Sequence, residues 1–211
     1  MSLLKLNTRG ATGPSRSRWC LGIGVLCLMG AFDADGRGAL SREYEIKAAF
    51  LFNFARFIEW PPNSFADAQS PIVIGVIGDD PFGPALANAV KGRRVNGRAI
   101  EARPVHNHEE ARTAHLLFVG LGRDEELAGL MRALSGHPVA TVGESAGFAA
   151  RGGTIAFVLR EDKVRFEINA AAAAQARVRI SAQLEKLATI VHNAGLAKEG
   201  ACCATSRSGE N

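Results

Sequence analysis

The chain has 211 residues, 47% of them apolar, which is enough for one well-buried domain and argues against disorder. Part of its formal charge of +4 sits at the N-terminus, where Lys5, Arg9, Arg16 and Arg18 face only Asp33 and Asp35; beyond residue 36 there remain 21 basic and 19 acidic side chains. That balance, with no Lys/Arg run beyond Arg93-Arg94, excludes the basic footprint needed to grip a phosphate backbone, so nucleic acid is not an expected partner.

Residues 1–36 read as a cleavable signal peptide. A positive, acid-free stretch to Arg18 is followed by an apolar run from Trp19 to Phe32 and then by polar residues. The run is shorter than the roughly 20 residues a membrane span needs. Ala34 and Gly36 suit cleavage before Arg37, and an uncleaved anchor is the alternative. Cys20 and Cys27 fall in this segment, while Cys202 and Cys203 lie in a polar tail, 196–211, expected to be disordered. The body from Leu40 to Ala197 has no Cys, which rules out an internal disulfide framework or a thiolate zinc site there.

Within that body, residues 41–60 place Ile46, Phe50, Phe54, Phe57 and Ile58 at helical spacing up to Pro61-Pro62, predicting a buried first helix. Lys47, Arg56, Glu59 and Asn53 within it argue against a second span. Ile72 to Ile77 is a continuous apolar run suited to a central strand covered on both faces. Asp79 and Asp80 follow in a turn, where turn formation and helix capping are their ordinary roles, and a helix is expected to about Lys91. Asn96-Gly97 between alternating runs marks a hairpin. A short helix (109–113), a strand (115–119), a helix (124–135) and a strand (139–142) come next. The strands 154–159 and 164–168 are then joined through Glu161-Asp162 as a late hairpin. Asn169 is placed as the N-cap of a final long helix carrying Ile180, Leu184, Leu187 and Val191 to Gly195. This order predicts an α/β fold: a three-layer α/β/α sandwich on a mostly parallel sheet, the late antiparallel hairpin at its edge, in a single domain over 41–195.

Catalytic motifs are weaker than they look. Gly143-Glu-Ser-Ala-Gly147 has the G-x-S-x-G form of a nucleophile elbow, and Asp162 and His192 follow in hydrolase order, but the substantial helix an elbow leads into is missing. The alternative reading of Ser145 is a residue in a Gly-rich surface turn. Gly75-x-x-Gly78 lacks the third glycine of a dinucleotide fingerprint and the Lys-Ser/Thr of a P-loop, and Asp79 and Asp80 would repel a phosphate. Paired acids also suggest a receiver domain, but no acceptor Asp ends the strand at 115–119. His106 and His108 could chelate a metal only with a third ligand that cannot be named, and His115, His137 and His192 read as surface or packing residues. No catalytic residue, cofactor site or metal site is assigned.

The chain resembles the YfiR-like family. The resemblance rests on Lys47-Ala-Ala-Phe-Leu-Phe-Asn-Phe-Ala-Arg-Phe-Ile-Glu-Trp-Pro61, Ile77-Gly-Asp-Asp-Pro-Phe-Gly83, Leu117-Phe-Val119, Thr141-Val142, Gly152-Gly153, Arg165-Phe-Glu-Ile-Asn169 and the segment from Ile180-Ser181 to Leu187-Ala188. It implies a periplasmic homodimer, without catalysis, that binds the periplasmic sensor part of an inner-membrane diguanylate cyclase and represses cyclic di-GMP synthesis, and with it biofilm formation. Contacts to that partner are expected near the late hairpin and the first helix, with Arg165, Glu167 and Asn169 as candidates. Family members often carry cysteines at positions aligned with Gly75, Ala114, Ala149 and Ala156; here all four are small and apolar, so redox control through them is not expected. Two other classes stay open: a small exported serine hydrolase using Ser145, and a periplasmic small-molecule-binding protein.

Overall fold

A computed structural model describes residues 34–191, so the expected signal peptide apart from its last residues, His192 and the C-terminal tail lie outside the described residues. In chain order the elements are α1 (Ala34–Phe57), β1 (Ile58–Glu59), a 3-10 turn (Pro62–Ser64), β2 (Ile72–Gly78), α2 (Pro84–Val90), β3 (Arg94–Val95), β4 (Arg98–Val105) and α3 (His108–Ala111). These are followed by β5 (Leu116–Gly120), α4 (Asp124–Leu134), β6 (Ala140–Gly143), β7 (Ile155–Arg160), β8 (Lys163–Asn169), α5 (Ala170–Gln175), β9 (Arg179–Ile180), α6 (Ala182–Glu185) and β10 (Thr189–Val191).

Among the described residues the main sheet has eight strands in the order β10-β8-β7-β6-β5-β2-β4-β3. The run from β4 through β7 is parallel, and the hairpins β3–β4 and β7–β8 are antiparallel. Strand alternation sends side chains to two cores. Ile72, Ile74, Val76, Leu116 and Phe118 face the layer of α1 and α2, whereas Val73, Ile77, Leu117 and Val119 face α3 and α4. This is the expected three-layer architecture.

Both predicted hairpins form, the first as Asn96-Gly97 dictates and the second with Glu161 in a conformation its side chain does not favour. Asn96 and Gly97 have φ of 52° and 82°, and Glu161 and Asp162 have φ of 52° and 55°, the left-handed pair that a two-residue hairpin matched to strand twist requires. The late hairpin is not at the sheet edge, however: β10 lies outside β8 and runs parallel to it, pairing Ile190 with Ile168.

That difference follows from the final segment, where the predicted long helix is replaced by α5, β9, α6 and β10. Asn169 caps α5 as expected, its Oδ1 accepting from Ala172 N at 3.0 Å. The helix then stops because Arg177 turns left-handed, φ 55°. Arg179-Ile180 pairs antiparallel with Ile58-Glu59, and the Ser181 hydroxyl caps α6 by accepting from Gln183 N at 3.2 Å. Val178, Ile180, Thr189, Ile190 and Val191 are β-branched, stiff side chains that fit a pleated surface better than a helix. The same pairing explains why α1 ends at Phe57, short of the prolines: Ile58 is drawn into β1.

The helical stripe of α1 is also displaced from the predicted one. Ile46 is 43% exposed and Lys47 is 6% exposed. At 3.6 residues per turn each i+4 step drifts about 40°, so Ile46 lies about 80° round from Phe54, and the buried face is instead Lys47, Ala48, Leu51, Phe54 and Ala55. Phe54 packs against Phe157 and Phe166 with ring centroids 5.6 and 5.1 Å away.

In α4, Leu127, Leu130 and Leu134 are buried while Gly129 sits mid-helix. A Cβ there would meet only His108 Cε1 at 3.9 Å, so packing does not demand glycine. Gly129→Ala is expected to stabilise the fold by about 0.5–1 kcal/mol through helix propensity alone, read as a shift of the urea midpoint at constant slope.

Candidate functional site

The parallel strands end in three turns on one rim of the sheet: 78–81 after β2, 120–123 after β5 and 144–148 after β6. The paired acids lie in the first. Asp80 Oδ1 accepts from Phe82 N at 2.8 Å, a side-chain turn that orients buried Phe82. Asp79 N donates to Gly120 O at 3.1 Å, tying the first two turns together. Neither carboxylate caps α2, whose N-cap position is Gly83 with no side-chain bond; that part of the expectation is corrected.

In the third turn the first glycine of the G-x-S-x-G string has a packing role, and the second, Gly147, is left-handed at φ 68° with open space around it. A Cβ on Gly143 would lie 2.5 Å from Phe148 Cδ2, and one on Gly153 would lie 2.1 Å from Phe148 Cε1. The two glycines therefore make room for a fully buried phenylalanine. Ser145 is not left-handed, since the described non-glycine residues with positive φ are Asn96, Glu161, Asp162 and Arg177. Its Oγ accepts from Arg151 Nη2 at 2.7 Å, and Arg151 also pairs with Asp124. Asp162 sits at the tip of the late hairpin, and His192 lies outside the described residues.

The residue between Gly143 and Ser145 supplies a cluster that sequence reasoning missed. Glu144 accepts from Lys47 Nζ at 2.6 Å and from Tyr44 OH at 3.1 Å. Lys47 Nζ is also 2.6 Å from Glu43 Oε1 and lies 4.5 Å from the Tyr44 ring centroid. Burial would lower the Lys47 pKa, but the hydrogen bonds to Glu144 and Glu43 outweigh it and hold the ammonium above the ordinary lysine value. Burial, then the Glu144 charge, raises the Tyr44 hydroxyl. A lysine inside an otherwise apolar helical stripe was the available signal. Its partner, 97 residues away, was not readable.

At the opposite end of the sheet His115 is a packing residue. Its Nδ1 accepts from Val73 N at 3.1 Å and its Nε2 lies 3.2 Å from Ser64 O, an arrangement that suits the neutral ring with the proton on Nε2. Phe65 stacks on it at 4.5 Å, and Trp60 Nε1 donates to its carbonyl at 2.9 Å. Burial pushes the imidazole pKa below its ordinary value, against the pull of the Ser64 carbonyl. The unfolded chain, with an ordinary value of about 6.5, therefore takes up the proton first as pH falls. This contribution is complete above about pH 6.5 and is lost as pH drops through the folded-state value. Between pH 7.5 and 5.5 the wild-type urea midpoint should fall, and His115→Gln, less stable throughout, should show a flatter dependence. The Asp67 and Glu110 carboxyls are held low by backbone hydrogen bonds and titrate below this window.

The candidate partner residues are spread along β8. Arg165 is exposed, and Glu167 is partly buried, its Oε1 accepting from Arg160 Nη2 at 3.0 Å. Asn169 is fully buried. Its Nδ2 donates to Ala149 O at 2.6 Å while its Oδ1 caps α5, so its side chain serves the fold and is not on the surface. His106 and His108 flank the start of α3, and among the described residues no group of three or more His, Cys, Asp or Glu could hold a metal. A Cβ on Gly75 would fall 3.2 Å from Ala114 Cβ, so these two of the four small, apolar positions are adjacent in space. Ala149 and Ala156 share one core cluster.

No helix among the described residues is long and apolar enough to cross a membrane. Among the solved structures that match in part are two of low identity. A conserved domain protein from Vibrio cholerae O1 biovar El Tor is 11% identical with a TM-score of 0.46, the match covering 70% of this chain and 59% of that one. A phosphoglycerate oxidoreductase from Rhizobium etli is 13% identical with a TM-score of 0.29, covering 74% of this chain and 60% of that one. The chain thus spans about three-fifths of the length of each. The model of the YfiR/HmsC-like family, by contrast, matches residues 44–189, from within α1 to the start of β10, and the chain belongs to that family.

Proposed function

We propose that the protein is a periplasmic regulatory binding protein that represses an inner-membrane partner, a diguanylate cyclase with a periplasmic sensor domain, and thereby limits cyclic di-GMP signalling and biofilm formation. The family match over residues 44–189 carries this reading; the family is in general periplasmic and regulatory. A signal peptide over residues 1–36 that delivers the domain, and assembly as a homodimer, belong to the same proposal. The contact surface is placed at the late hairpin and α1: Ile46 on α1 is 43% and Leu159 on the α1 face of the hairpin 57% exposed, while Arg165 and Glu167 supply charge on the hairpin's other face, so the partner would grip the hairpin from both sides. Repression then amounts to binding one conformational state of the partner more tightly than the other.

The test is co-expression of the chain with a membrane diguanylate cyclase of the same host that carries a periplasmic sensor domain, with cyclic di-GMP measured and the two proteins co-purified. Lower cyclic di-GMP with the wild-type chain, and its recovery with Leu159→Asp/Arg165→Glu at unchanged melting temperature, is the expected result. Repression unaffected by the double variant would remove this surface, and no repression of any such cyclase in the native host would remove the proposal. A hydrolase built on Ser145 has less support, since Ser145 Oγ is engaged by Arg151 and no long helix follows the turn. Ser145→Ala is expected to leave repression intact.

A further inference from the structure

A cleft of about 860 Å³ opens at the C-terminal ends of β2 and β4, beside α3 and α4. Its position follows from the winding of the sheet. β2 lies between β4 and β5, so the connections on either side of it run in opposite directions, and doubly wound sheets bind ligands outside the strand ends where the order reverses. Directly between β2 and β5 there is no room: a Cβ on Gly120 would fall 2.2 Å from Asp79 O. The space opens to one side of that contact.

The cleft floor is apolar, formed by Ile77, Val105 and Leu121, with Gly78 and Gly129 contributing no side chain. The rim is acidic, with Glu109, Glu125 and Glu126 beside His106 and His108, and no Lys or Arg lines it. Glu109 is paired with Arg112 and Glu126 with Arg123. Among the described residues Glu125 has no salt bridge. An apolar floor under carboxylates disfavours an anion, and the described residues offer no three-ligand metal cluster. Gly129 adds an independent mark: a helix-interior glycine is unfavourable, packing does not require it here, and its effect is to leave the cleft open.

We propose that this cleft binds a small organic cation, a protonated amine on an aromatic or branched aliphatic body, with the body on the Ile77–Val105–Leu121 floor and the ammonium at Glu125 and Glu126. Clefts of this size, mostly apolar with a few convergent polar groups, are the usual form of small-molecule sites. The reading is independent of the membrane partner.

The test is an NMR titration of the purified chain with phenethylamine, with 2-phenylethanol and phenylacetate as neutral and anionic counterparts. Saturable shifts of the Gly78 and Gly129 amides are expected with phenethylamine, and binding at least about tenfold weaker with the other two, since a charge-assisted hydrogen bond is worth that factor or more. Glu125→Gln/Glu126→Gln should weaken binding by about the same factor with an unchanged melting transition in the absence of amine, and Gly129→Leu should abolish it in a fold no less stable than wild type, since the helix loses its interior glycine. The exposed Glu pair keeps the test valid if the Leu variant does not fold. Equal binding of the three compounds, no saturable shift with phenethylamine, or binding insensitive to the Glu double variant would overturn the proposal.

Discussion

Phe148→Ala should cost about 4 kcal/mol, the largest loss expected from any single substitution considered for this fold. The ring is fully buried in the core formed with Val119, Leu127, Leu130 and Ala156. It also organises its own turn: Phe148 N donates to Ser145 O, and Gly153 N donates to Phe148 O, each at 3.0 Å. Deleting the ring leaves a cavity flanked by two glycines that have no side chain to fill it. The loss should appear as a lower urea midpoint at constant slope. Ser145→Ala, a few residues away on a partly exposed hydroxyl, should change stability by less than about 1 kcal/mol. A Phe148→Ala protein as stable as wild type would contradict the packing described here. So would Gly153→Ala being neutral, because its new Cβ has nowhere to go unless the ring moves.

Lys47→Met should cost about 3 kcal/mol. The hydrocarbon stem is nearly conserved, so the effect isolates the ammonium held between Glu43 and Glu144 at 2.6 Å each. Removing one partner of a buried ion pair typically costs 3–5 kcal/mol, because the other charge is left behind desolvated. Here the carboxylate side chains keep 26% and 31% of their exposure, which places the expectation at the low end. Adding Glu144→Gln to Lys47→Met should recover part of the loss, since one of the two stranded charges is then gone. A double variant that loses the sum of both single effects would show that the two groups do not act as a pair. Because this contact fastens α1 to the turn after β6, faster hydrogen exchange at the N-terminal half of α1 should accompany Lys47→Met.

Much of the architecture could be read locally. Ile72–Ile77 shows its burial on both faces by being apolar at both parities, and Asn96-Gly97 has the backbone preferences that decide its turn, whereas Glu161 is held left-handed by the pairing of β7 with β8. Asn169 was readable as a cap because a side-chain oxygen before an alanine run has few other uses. The paired acids after β2 were readable as a turn, though not as one that ties the ends of β2 and β5 together through Asp79 and Gly120.

The last segment was misread for a physical reason. Ile180, Leu184, Leu187 and Val191 fit a helical period, and periodicity cannot register that Ile58-Glu59 and the outer edge of β8 offer hydrogen-bonding partners to the same residues. Strand pairing is non-local, so the competition is settled only when the sheet exists. The same limit hid the site features. Ile46 and Lys47 exchange roles because the position of α1 on the sheet selects one helical face. Gly143 of the G-x-S-x-G string matches a nucleophile elbow in one dimension and, with Gly153, a pocket for Phe148 in three.

What the sequence determined by itself is the set of local commitments: the apolar central strands, the Asn96-Gly97 turn, the absence of cysteine in the body and the near-neutral charge balance beyond residue 36. What only the tertiary structure decided is which of those pieces meet, namely Lys47 with Glu144, Phe148 with Gly143 and Gly153, and β10 with β8. Those contacts join residues far apart in the chain, and their free energy exists only after the intervening chain has been ordered.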